Sequence, residues 1–312
     1  MTQSLTISSP QPSFDTILGS VIAAWPEHEA YLRSGIARYS PATLAAIERL
    51  SQRILALIGG ELDRYVGNYR WMCEQFFREE VYFRRHGRYR LSSFAEAEHE
   101  VYSNANFMAC YMDGLLLSQV LWSNHVNGAA FFIDRFLPTI TEPFDYLEIG
   151  PGHGLFAGFA ASHPLCRGLT GWDVSLTSLE HTRASLTRMG VERPIDLVRR
   201  DVLRAEIARP EFDVGVISEV LEHLEEPALA LATLFDVLRP GGRILVNLPI
   251  NSPAPDHIYL LRTPEAVEAL VKSVGFVIEE TECFPVTGYD LPTAMRRALT
   301  VSCVVVARRP LV

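Results

Sequence analysis

The sequence is poor in cysteine and has no closely spaced cysteine pair. Its five cysteines stand far apart, at Cys73, Cys110, Cys166, Cys283 and Cys303. CxxC pairs are typical of zinc sites, and dense cysteines are typical of small secreted domains held by disulfides. The HxxxH spacing of helical metal sites is also missing. We therefore predict reduced thiols in a cytoplasmic protein, and no metal.

Basic charge and long apolar runs are scarce as well. Lys and Arg total 28 against 37 Asp and Glu, which gives a formal net charge of -9. Nucleic-acid-binding domains usually carry a basic excess. No apolar run approaches the roughly 20 residues that span a bilayer. The start of the chain lacks the basic and apolar regions of a signal peptide, so we expect disorder over residues 1–15. We predict neither a nucleic-acid partner nor a membrane partner.

The residues before position 140 favour helices. The stretch that follows Ser40 and Pro41 places apolar side chains on one helical face, at Leu44, Ile47, Leu50, Ile54 and Leu57. Serine before proline suits a helix start. Residues 105–138 favour two further helices, of which the first is apolar nearly all round. We predict an all-helical region over residues 1–140.

An arginine-rich aromatic stretch, residues 71–94, lies between these helices. Such a pattern is found in nucleic-acid-binding surfaces. It is also found on solvated helix faces whose aromatic residues are buried. The acidic net charge favours the second interpretation.

Residues 141–312 alternate predicted strands with predicted helices. The strands are 144–149, 168–173, 195–200, 212–218, 243–248, 276–282 and 300–307. Helices are predicted at 155–161, 178–189, 228–238 and 264–274, with none between the last two strands. This alternation predicts an α/β fold, a doubly wound and mostly parallel seven-stranded sheet whose end is antiparallel.

A glycine loop follows the first predicted strand, in the stretch LEIGPGHG. Its glycines are Gly150, Gly152 and Gly154, and the position where a dinucleotide-binding fingerprint needs glycine is Leu155. Glu148 precedes the loop, where its carboxylate would repel a pyrophosphate and attract a cation. The loop therefore fits a nucleoside that carries a positive charge, such as S-adenosylmethionine.

Five motifs in residues 144–308 resemble those of the class I S-adenosylmethionine-dependent methyltransferases. They are LEIGPGHG, GWDVS, RRDVL, FDVGVISEVLEHLEEP and LRPGGRILVNLPI. The resemblance implies a Rossmann-like core with S-adenosyl-L-methionine as cofactor. It implies that Asp173 binds the ribose hydroxyls, Asp201 the adenine amino group and Val202 the adenine ring. The full implied cofactor set is Glu148, Gly150, Pro151, Gly152, Gly154, Asp173, Val174, Asp201, Val202, Glu219 and Val220.

The acceptor side is less constrained by the sequence. His257 follows the fifth strand of the core, and His223 belongs to a motif in which it is either a base or a structural hydrogen-bonding group. The helical region would supply the other wall, with Tyr111 and His125 among the polar residues of 102–127. We predict a cap or lid there. The alternative is a helical bundle that forms a homodimer, and the two roles are compatible.

Three functions fit these motifs. The first is a methyltransferase acting on a small molecule, for instance in secondary-metabolite biosynthesis. The second is a cyclase or lyase in which the aminobutyrate arm of the cofactor attacks itself and methylthioadenosine is released. The third is a cofactor-binding regulator without catalysis. Intact motifs indicate binding and leave turnover open.

Overall fold

The computed structural model describes residues 10–311, and these contain one seven-stranded sheet. Its strands are β1 (Phe144–Ile149), β2 (Cys166–Asp173), β3 (Ile195–Arg199), β4 (Phe212–Ser218), β5 (Leu238–Ile250), β6 (Val277–Pro285) and β7 (Val301–Arg308). The strand order is β3-β2-β1-β4-β5-β7-β6. The first five strands run parallel, and β7 pairs antiparallel with both β5 and β6. The predicted fold class and its antiparallel end are confirmed.

Helices precede the sheet and connect its strands. Those before β1 are α1 (Pro12–Ala24), α2 (Glu29–Ile36), α3 (Pro41–Ile58), α4 (Leu62–His86), α5 (Phe94–Ala97), α6 (Ala105–Leu121) and α7 (Ser123–Phe131). Those within the α/β part are α8 (Leu155–Ala161), α9 (Leu176–Arg188), α10 (Pro227–Val237), α11 (Pro264–Ser273) and α12 (Leu291–Arg296). Short 3-10 or π turns lie at Pro26–His28, Glu98–Tyr102, Phe132–Phe136, Leu137–Thr139 and Leu221–His223.

Helix α12 corrects the prediction that no helix separates the last two strands. Asp290 caps it, since its side chain accepts a hydrogen bond from the backbone N–H of Thr293 at 2.8 Å. The helix has only 6 residues, too few for an apolar periodicity to be visible in the sequence.

The first helix corrects the expectation of disorder over residues 1–15. Residues 1–9 lie outside the described part of the chain, whereas Pro12–Asp15 form the first turn of α1. The carboxylate of Glu48 accepts hydrogen bonds from the backbone N–H groups of Ser13 and Phe14, both at 3.1 Å. A helix start is thereby satisfied by a side chain from α3, a contact that sequence reading does not reveal.

Helix α3 begins where the sequence predicted. The Ser40 hydroxyl accepts from the N–H of Thr43 at 3.1 Å, so Ser40 is the N-cap and Pro41 the first helical residue. The predicted apolar face is buried: Ile47, Leu50 and Ile54 have no exposed surface.

Both faces of the sheet are covered, each by its own helices. One face packs against α8 and the N-terminal helices in a core that joins residues such as Ile54, Phe132, Tyr146 and Val304. The other face packs against α10, α11 and α12. The N-terminal helices therefore form a layer on one side of the sheet, called here the helical layer (residues 12–139).

The arginine-rich stretch lies mostly on α4 and is engaged within the chain. Arg84 donates to the backbone oxygens of Arg297 and Ala298, at 2.5 and 3.0 Å. Arg90 pairs with Glu79 and Glu100. Within the described residues, no helix is both long and apolar enough to cross a membrane.

Candidate functional site

A large cavity of about 2030 Å³ lies between the carboxyl ends of the parallel strands and the helical layer. Open α/β sheets bind ligands at this edge. Drug-sized ligands usually occupy pockets of roughly 300–1,000 Å³, so this cavity has room for more than one ligand. Most of the predicted site residues line it, namely Tyr111, His125, Glu148, Gly150, Pro151, Gly152, Asp173, Val174, Asp201, Val202, Glu219, Val220, His223 and His257.

The three loop glycines all have positive φ and differ in what surrounds them. A Cβ on Gly150 would lie 2.8 Å from Cγ2 of Val220, and one on Gly154 would lie 3.3 Å from Leu186 on α9. A Cβ on Gly152 would have no neighbour closer than 3.9 Å, and Gly152 lines the cavity. Gly150 thus permits contact with the segment after β4, Gly154 permits helix packing, and Gly152 leaves open space for a ligand.

Two carboxylates line the cavity at the carboxyl ends of β2 and β3. Asp173 accepts hydrogen bonds from the N–H of Ser175 at 2.8 Å and from the hydroxyl of Ser178 at 2.7 Å. Asp201 accepts from the N–H of Leu203 at 2.9 Å. An ionised carboxylate can accept about four hydrogen bonds, so both are held in place and retain lone pairs for a ligand.

Glu148 does not provide the negative charge on which its prediction rested. The hydroxyl of Tyr146 donates to its carboxyl at 3.0 Å. Burial raises the pKa of Glu148 to about 8, so the carboxyl is mostly protonated at neutral pH. Glu148 lies in β1, two residues before Gly150, and as a neutral acid it would not attract a cation.

The helical layer meets the loop after β5 at Asp256. Its carboxylate accepts from the hydroxyl of Tyr111 at 2.8 Å and from that of Tyr102 at 3.3 Å. The Nδ1 atom of His223 lies 3.1 Å from the backbone oxygen of Asp256. Burial raises the pKa of Tyr111 well above its usual value, so its hydroxyl acts as a donor to Asp256.

A cluster of two acids and two histidines lies beside Asp256. We call Glu219, Glu222, His223 and His257 the acid–histidine cluster. His257 is 6% exposed and its Nδ1 lies 2.7 Å from the backbone oxygen of Ser252. Its Nε2 lies 3.9 Å from Oε1 of Glu222, and the Nε2 of His223 lies 3.8 Å from the same atom. One candidate ligand atom from each of these three residues lies within 4.8 Å of the others.

The acids of this cluster are unusual for their burial. Glu222 has no exposed surface, and burial followed by the nearby Glu219 raises its pKa well above the ordinary value. Burial raises the pKa of Glu219 to about 7, although Asn247 donates to its carboxyl at 3.0 Å. Glu219 has φ of 54°, a strained value for a residue with a side chain. Strain and buried acids together mark a candidate functional site.

The remaining polar residues of the predicted lid are engaged in structural contacts. His125 Nδ1 lies 2.9 Å from the Ser118 hydroxyl, and burial lowers the pKa of His125 to about 4. Asn124 donates to the Ser302 hydroxyl, and Asn127 donates to a backbone oxygen of its own helix.

Comparison with known proteins identifies the α/β part. Residues 147–246 match a family model described as a methyltransferase domain. A probable S-adenosylmethionine-dependent methyltransferase of Mycolicibacterium smegmatis is 32% identical over 146 residues, 44% of this chain and 53% of that protein. A ubiquinone/menaquinone biosynthesis C-methyltransferase of Haemophilus ducreyi is 32% identical over 112 residues, 36% of this chain and 43% of that protein.

Residues 147–246 therefore carry a methyltransferase domain, similar to those of S-adenosylmethionine-dependent methyltransferases. The resemblance inferred from the motifs is thus confirmed. The chain matches about half the length, or less, of these relatives. Among solved structures, a putative methyltransferase from Bacillus halodurans is similar with a TM-score of 0.46 and 16% identity, over 55% of this chain and 95% of that one.

The cofactor of this superfamily is S-adenosyl-L-methionine, and the methyltransferase core here has a cradle that fits it. Gly152 faces open space that a Cβ would enter. The carboxylates of Asp173 and Asp201 keep free acceptor positions on the same cavity wall, where ribose hydroxyls and an adenine amino group supply donors. The residues present therefore match the donor and acceptor pattern of the cofactor.

Sequence reasoning missed two features of this methyltransferase site. The Nε2 of His153 lies 2.8 Å from the backbone oxygen of Met112, which ties the glycine loop to α6. The convergence of Glu222, His223 and His257 was also missed. The 34 residues from His223 to His257 give no local spacing signal. The loop after β5 brings His257 to Glu222 through backbone contacts. The N–H groups of Ile258 and Tyr259 donate to the backbone oxygen of Glu222.

Proposed function

We propose that this protein transfers the methyl group of S-adenosylmethionine to a hydroxyl group of a small molecule. The observation that carries the proposal is the shared cavity. The glycine loop, Asp173, Tyr102, Tyr111 and the acid–histidine cluster all line it. Its volume of about 2030 Å³ exceeds what one ligand of drug size needs.

The cofactor would lie along the carboxyl ends of β1 to β4. We assign Asp173 to the ribose hydroxyls, Asp201 to the adenine amino group and Val202 to the adenine ring. Backbone groups of the loop would contact the remaining part, together with the side chains predicted from the motifs: Glu148, Pro151, Val174, Glu219 and Val220. Val174, which is 51% exposed, would be covered by the bound adenosine.

When bound, S-adenosylmethionine supplies an electrophilic methyl carbon on a sulfonium. The protein has to orient the acceptor towards that carbon and exclude water. Such positioning is worth on the order of 7–11 kcal/mol of the barrier in well-oriented reactions. The helical layer supplies the apolar cover, since Met108, Met112 and Leu116 line the cavity beside the tyrosines.

The chemistry of the acid–histidine cluster favours an acceptor that carries a proton. The Nδ1 atoms of His223 and His257 lie within hydrogen-bond distance of backbone oxygens, which only accept. Each imidazole therefore keeps a lone pair on Nε2. An acceptor hydroxyl can donate to Nε2 of His223, the more exposed of the two, and its proton can pass to that atom as the methyl group is received.

The other predicted catalytic residues take positioning roles in this proposal. Tyr111 fixes Asp256, whose backbone oxygen orients His223. Burial lowers the pKa of His257 and of His125 to about 4, so both are weak bases at neutral pH. A small hydroxylated molecule, such as a phenol or quinol, is the first acceptor to try because C- and O-methyltransferases of ubiquinone biosynthesis are among the relatives.

A cytoplasmic location is part of the proposal. The sparse cysteines, which include no CxxC pair, support it, since disulfide-rich sequences are typical of oxidising compartments. We also propose that the helical layer (residues 12–139) acts as the cap of the site.

The test is a transfer assay with methyl-labelled S-adenosylmethionine and a panel of phenols, catechols, carboxylic acids and amines, read by mass spectrometry. We expect label in hydroxyl acceptors together with an equal amount of S-adenosylhomocysteine. Labelling of amines alone would overturn the hydroxyl assignment. Absence of transfer to every class, in protein that binds the cofactor, would count against the methyltransferase proposal.

A further inference from the structure

We infer that Glu222, His223 and His257 form a binding site for a divalent transition-metal cation. Glu222 is the central residue, with no exposed surface. Neither of its carboxyl oxygens has a hydrogen-bond donor among the described residues. A buried carboxyl group without a partner is costly, and a cation bound in place of its proton would satisfy it.

The two histidines are oriented to provide nitrogen ligands. The Nδ1 of His257 is 2.7 Å from the backbone oxygen of Ser252, and that of His223 is 3.1 Å from the backbone oxygen of Asp256. Because a carbonyl oxygen only accepts, each Nδ1 carries the hydrogen and each Nε2 keeps its lone pair. This is the arrangement in which a histidine that binds a metal has its other nitrogen held by an acceptor.

The two histidine nitrogens converge on one carboxyl oxygen. The Nε2 atoms of His223 and His257 lie 3.8 and 3.9 Å from the same oxygen, Oε1 of Glu222. These separations are too long for hydrogen bonds. The carboxyl group of Glu219 can share a proton with Glu222, which satisfies one oxygen of Glu222. The Nε2 atoms of both histidines still face Oε1 of Glu222.

The distances fit a cation after a small contraction. Ligands about 2.0–2.2 Å from a tetrahedral ion lie roughly 3.3–3.6 Å from one another. The separations of 3.8 and 3.9 Å from Oε1 of Glu222 would close by a few tenths of an ångström. The two histidines, whose ligand atoms lie within 4.8 Å of each other, would also have to approach. Two imidazoles and a carboxylate suit Zn²⁺, Fe²⁺ or Co²⁺, whereas Mg²⁺ and Ca²⁺ prefer oxygen ligands.

Groups behind the ligands hold the site together. The N–H groups of Ile258 and Tyr259 each donate to the backbone oxygen of Glu222 at 2.9 Å, which keeps the His257 loop against the turn that carries His223. The carboxylate of Asp256, 3.5 Å from Nδ1 of His223, adds negative charge next to the site.

The site has a place in the proposed function. Glu222, His223 and His257 line the cavity that also contains the glycine loop. If the proposed methyl transfer to a hydroxyl is correct, the open positions of the cation would bind the acceptor oxygen and lower the pKa of its proton. With the cation bound, His223 would be a ligand in place of its role as base, and the proton would leave to solvent. The ligand set itself does not depend on that role.

The test is a titration of metal-free full-length protein with Co²⁺ and Zn²⁺, followed by calorimetry and, for Co²⁺, by visible absorption. We expect about one cation per chain and an absorption spectrum of nitrogen and oxygen ligation without the thiolate band that cysteine would add. Glu222→Gln and His257→Ala should each weaken binding more than about tenfold. The control His99→Ala removes an exposed imidazole and should bind like the wild type.

Folding and activity are read separately. Glu222→Gln should melt no lower than the metal-free wild type, because it removes an unpaired buried acid and keeps the shape. A wild type that binds no cation, or a Glu222→Gln variant that binds as tightly as the wild type, would overturn the site. Cation binding without methyl transfer would support the site and contradict the proposed function. Full transfer by metal-free protein would overturn the role of the cation and leave the proposed function intact.

Discussion

The hydroxyl of Tyr111 donates a hydrogen bond to the carboxylate of Asp256 across 2.8 Å, and this contact joins the helical layer to the loop after β5. Tyr102, from the turn before α6, reaches the same carboxylate. The backbone oxygen of Asp256 in turn orients His223. The helices therefore help to position the acid–histidine cluster in addition to covering the cavity.

Replacement of Tyr111 by phenylalanine tests this positioning role. A hydrogen bond to a charged group contributes about 1.5–3 kcal/mol, so both stability and the orientation of Asp256 should suffer. We expect kcat/KM to fall about tenfold or more. The control Tyr39→Phe removes a hydrogen bond to Ser123 away from the cavity and should lower the melting temperature with little effect on kcat/KM. If Tyr111→Phe and Tyr39→Phe both lost activity in proportion to melting temperature, the helices would contribute packing only.

Replacement of Asp173 by alanine tests the cofactor site. Loss of the ribose acceptor should weaken S-adenosylmethionine binding by about 1.5–3 kcal/mol in calorimetry. Asp196→Ala, at an exposed position on β3, is the matched control and should bind normally. Wild-type affinity in a folded Asp173→Ala protein would contradict the placement of the ribose.

Replacement of Gly152 by alanine tests the open side of the glycine loop. The new methyl group would enter the cavity, so cofactor affinity should fall at least about tenfold. Gly190→Ala imposes a similar backbone strain, with φ of 70° against 50°, where nothing lies within 4 Å of the new atom. That control should cost about 1–2 kcal/mol of stability and leave binding unchanged. Measurable NAD binding by the wild type would instead revive a dinucleotide site.

Stability should depend on pH through the buried acids. Burial raises the pKa of Glu148 to about 8 and that of Glu219 to about 7. The native state therefore keeps protons that the unfolded chain releases above its ordinary glutamate pKa of about 4.3. The resulting stability is greatest below that pKa. It is lost as the pH rises, by up to about 1.4 kcal/mol per pH unit for each acid, until about pH 7 for Glu219 and about pH 8 for Glu148.

The pH effect can be assigned to Glu148 by urea denaturation at several pH values between 5 and 8. Glu148→Gln keeps an acceptor for the Tyr146 hydroxyl and cannot ionise, so its loss of stability with pH should be smaller than that of the wild type. Glu192→Gln, at an exposed site, should keep the wild-type slope. An unchanged slope in Glu148→Gln would contradict the protonated state of that carboxyl.

Local pattern predicted the α/β part well because its strands are short, apolar and separated by helices. The bounds of β1 and β4 agree with the prediction residue for residue. Strand β5 was predicted to begin at Arg243 but begins at Leu238, because Leu238 already pairs with Phe212 before a shift in register. Because the neighbouring strand β4 determines this pairing, residues 238–242 show no alternation of apolar and polar residues that would predict a strand.

Side-chain partners across the fold could not be predicted from the sequence. The interpretation of Glu148 as a charged residue failed because its burial and its contact with Tyr146 depend on packing. The prediction of no metal relied on local spacing, whereas Glu222 and His257 meet only through the β5 loop. Motifs therefore indicate which chemical groups a loop carries, whereas long-range contacts determine the charge state and the partners of those groups.

The central claim is that the cavity brings a cofactor methyl group to a second molecule. The most direct test is to incubate the wild-type protein with S-adenosylmethionine, with and without a hydroxyl acceptor that is methylated in the panel assay, and to identify the nucleoside product. We predict S-adenosylhomocysteine in amounts equal to methylated acceptor, and none above background without acceptor. Methylthioadenosine formed without acceptor would contradict the account and show that the cofactor itself is the substrate.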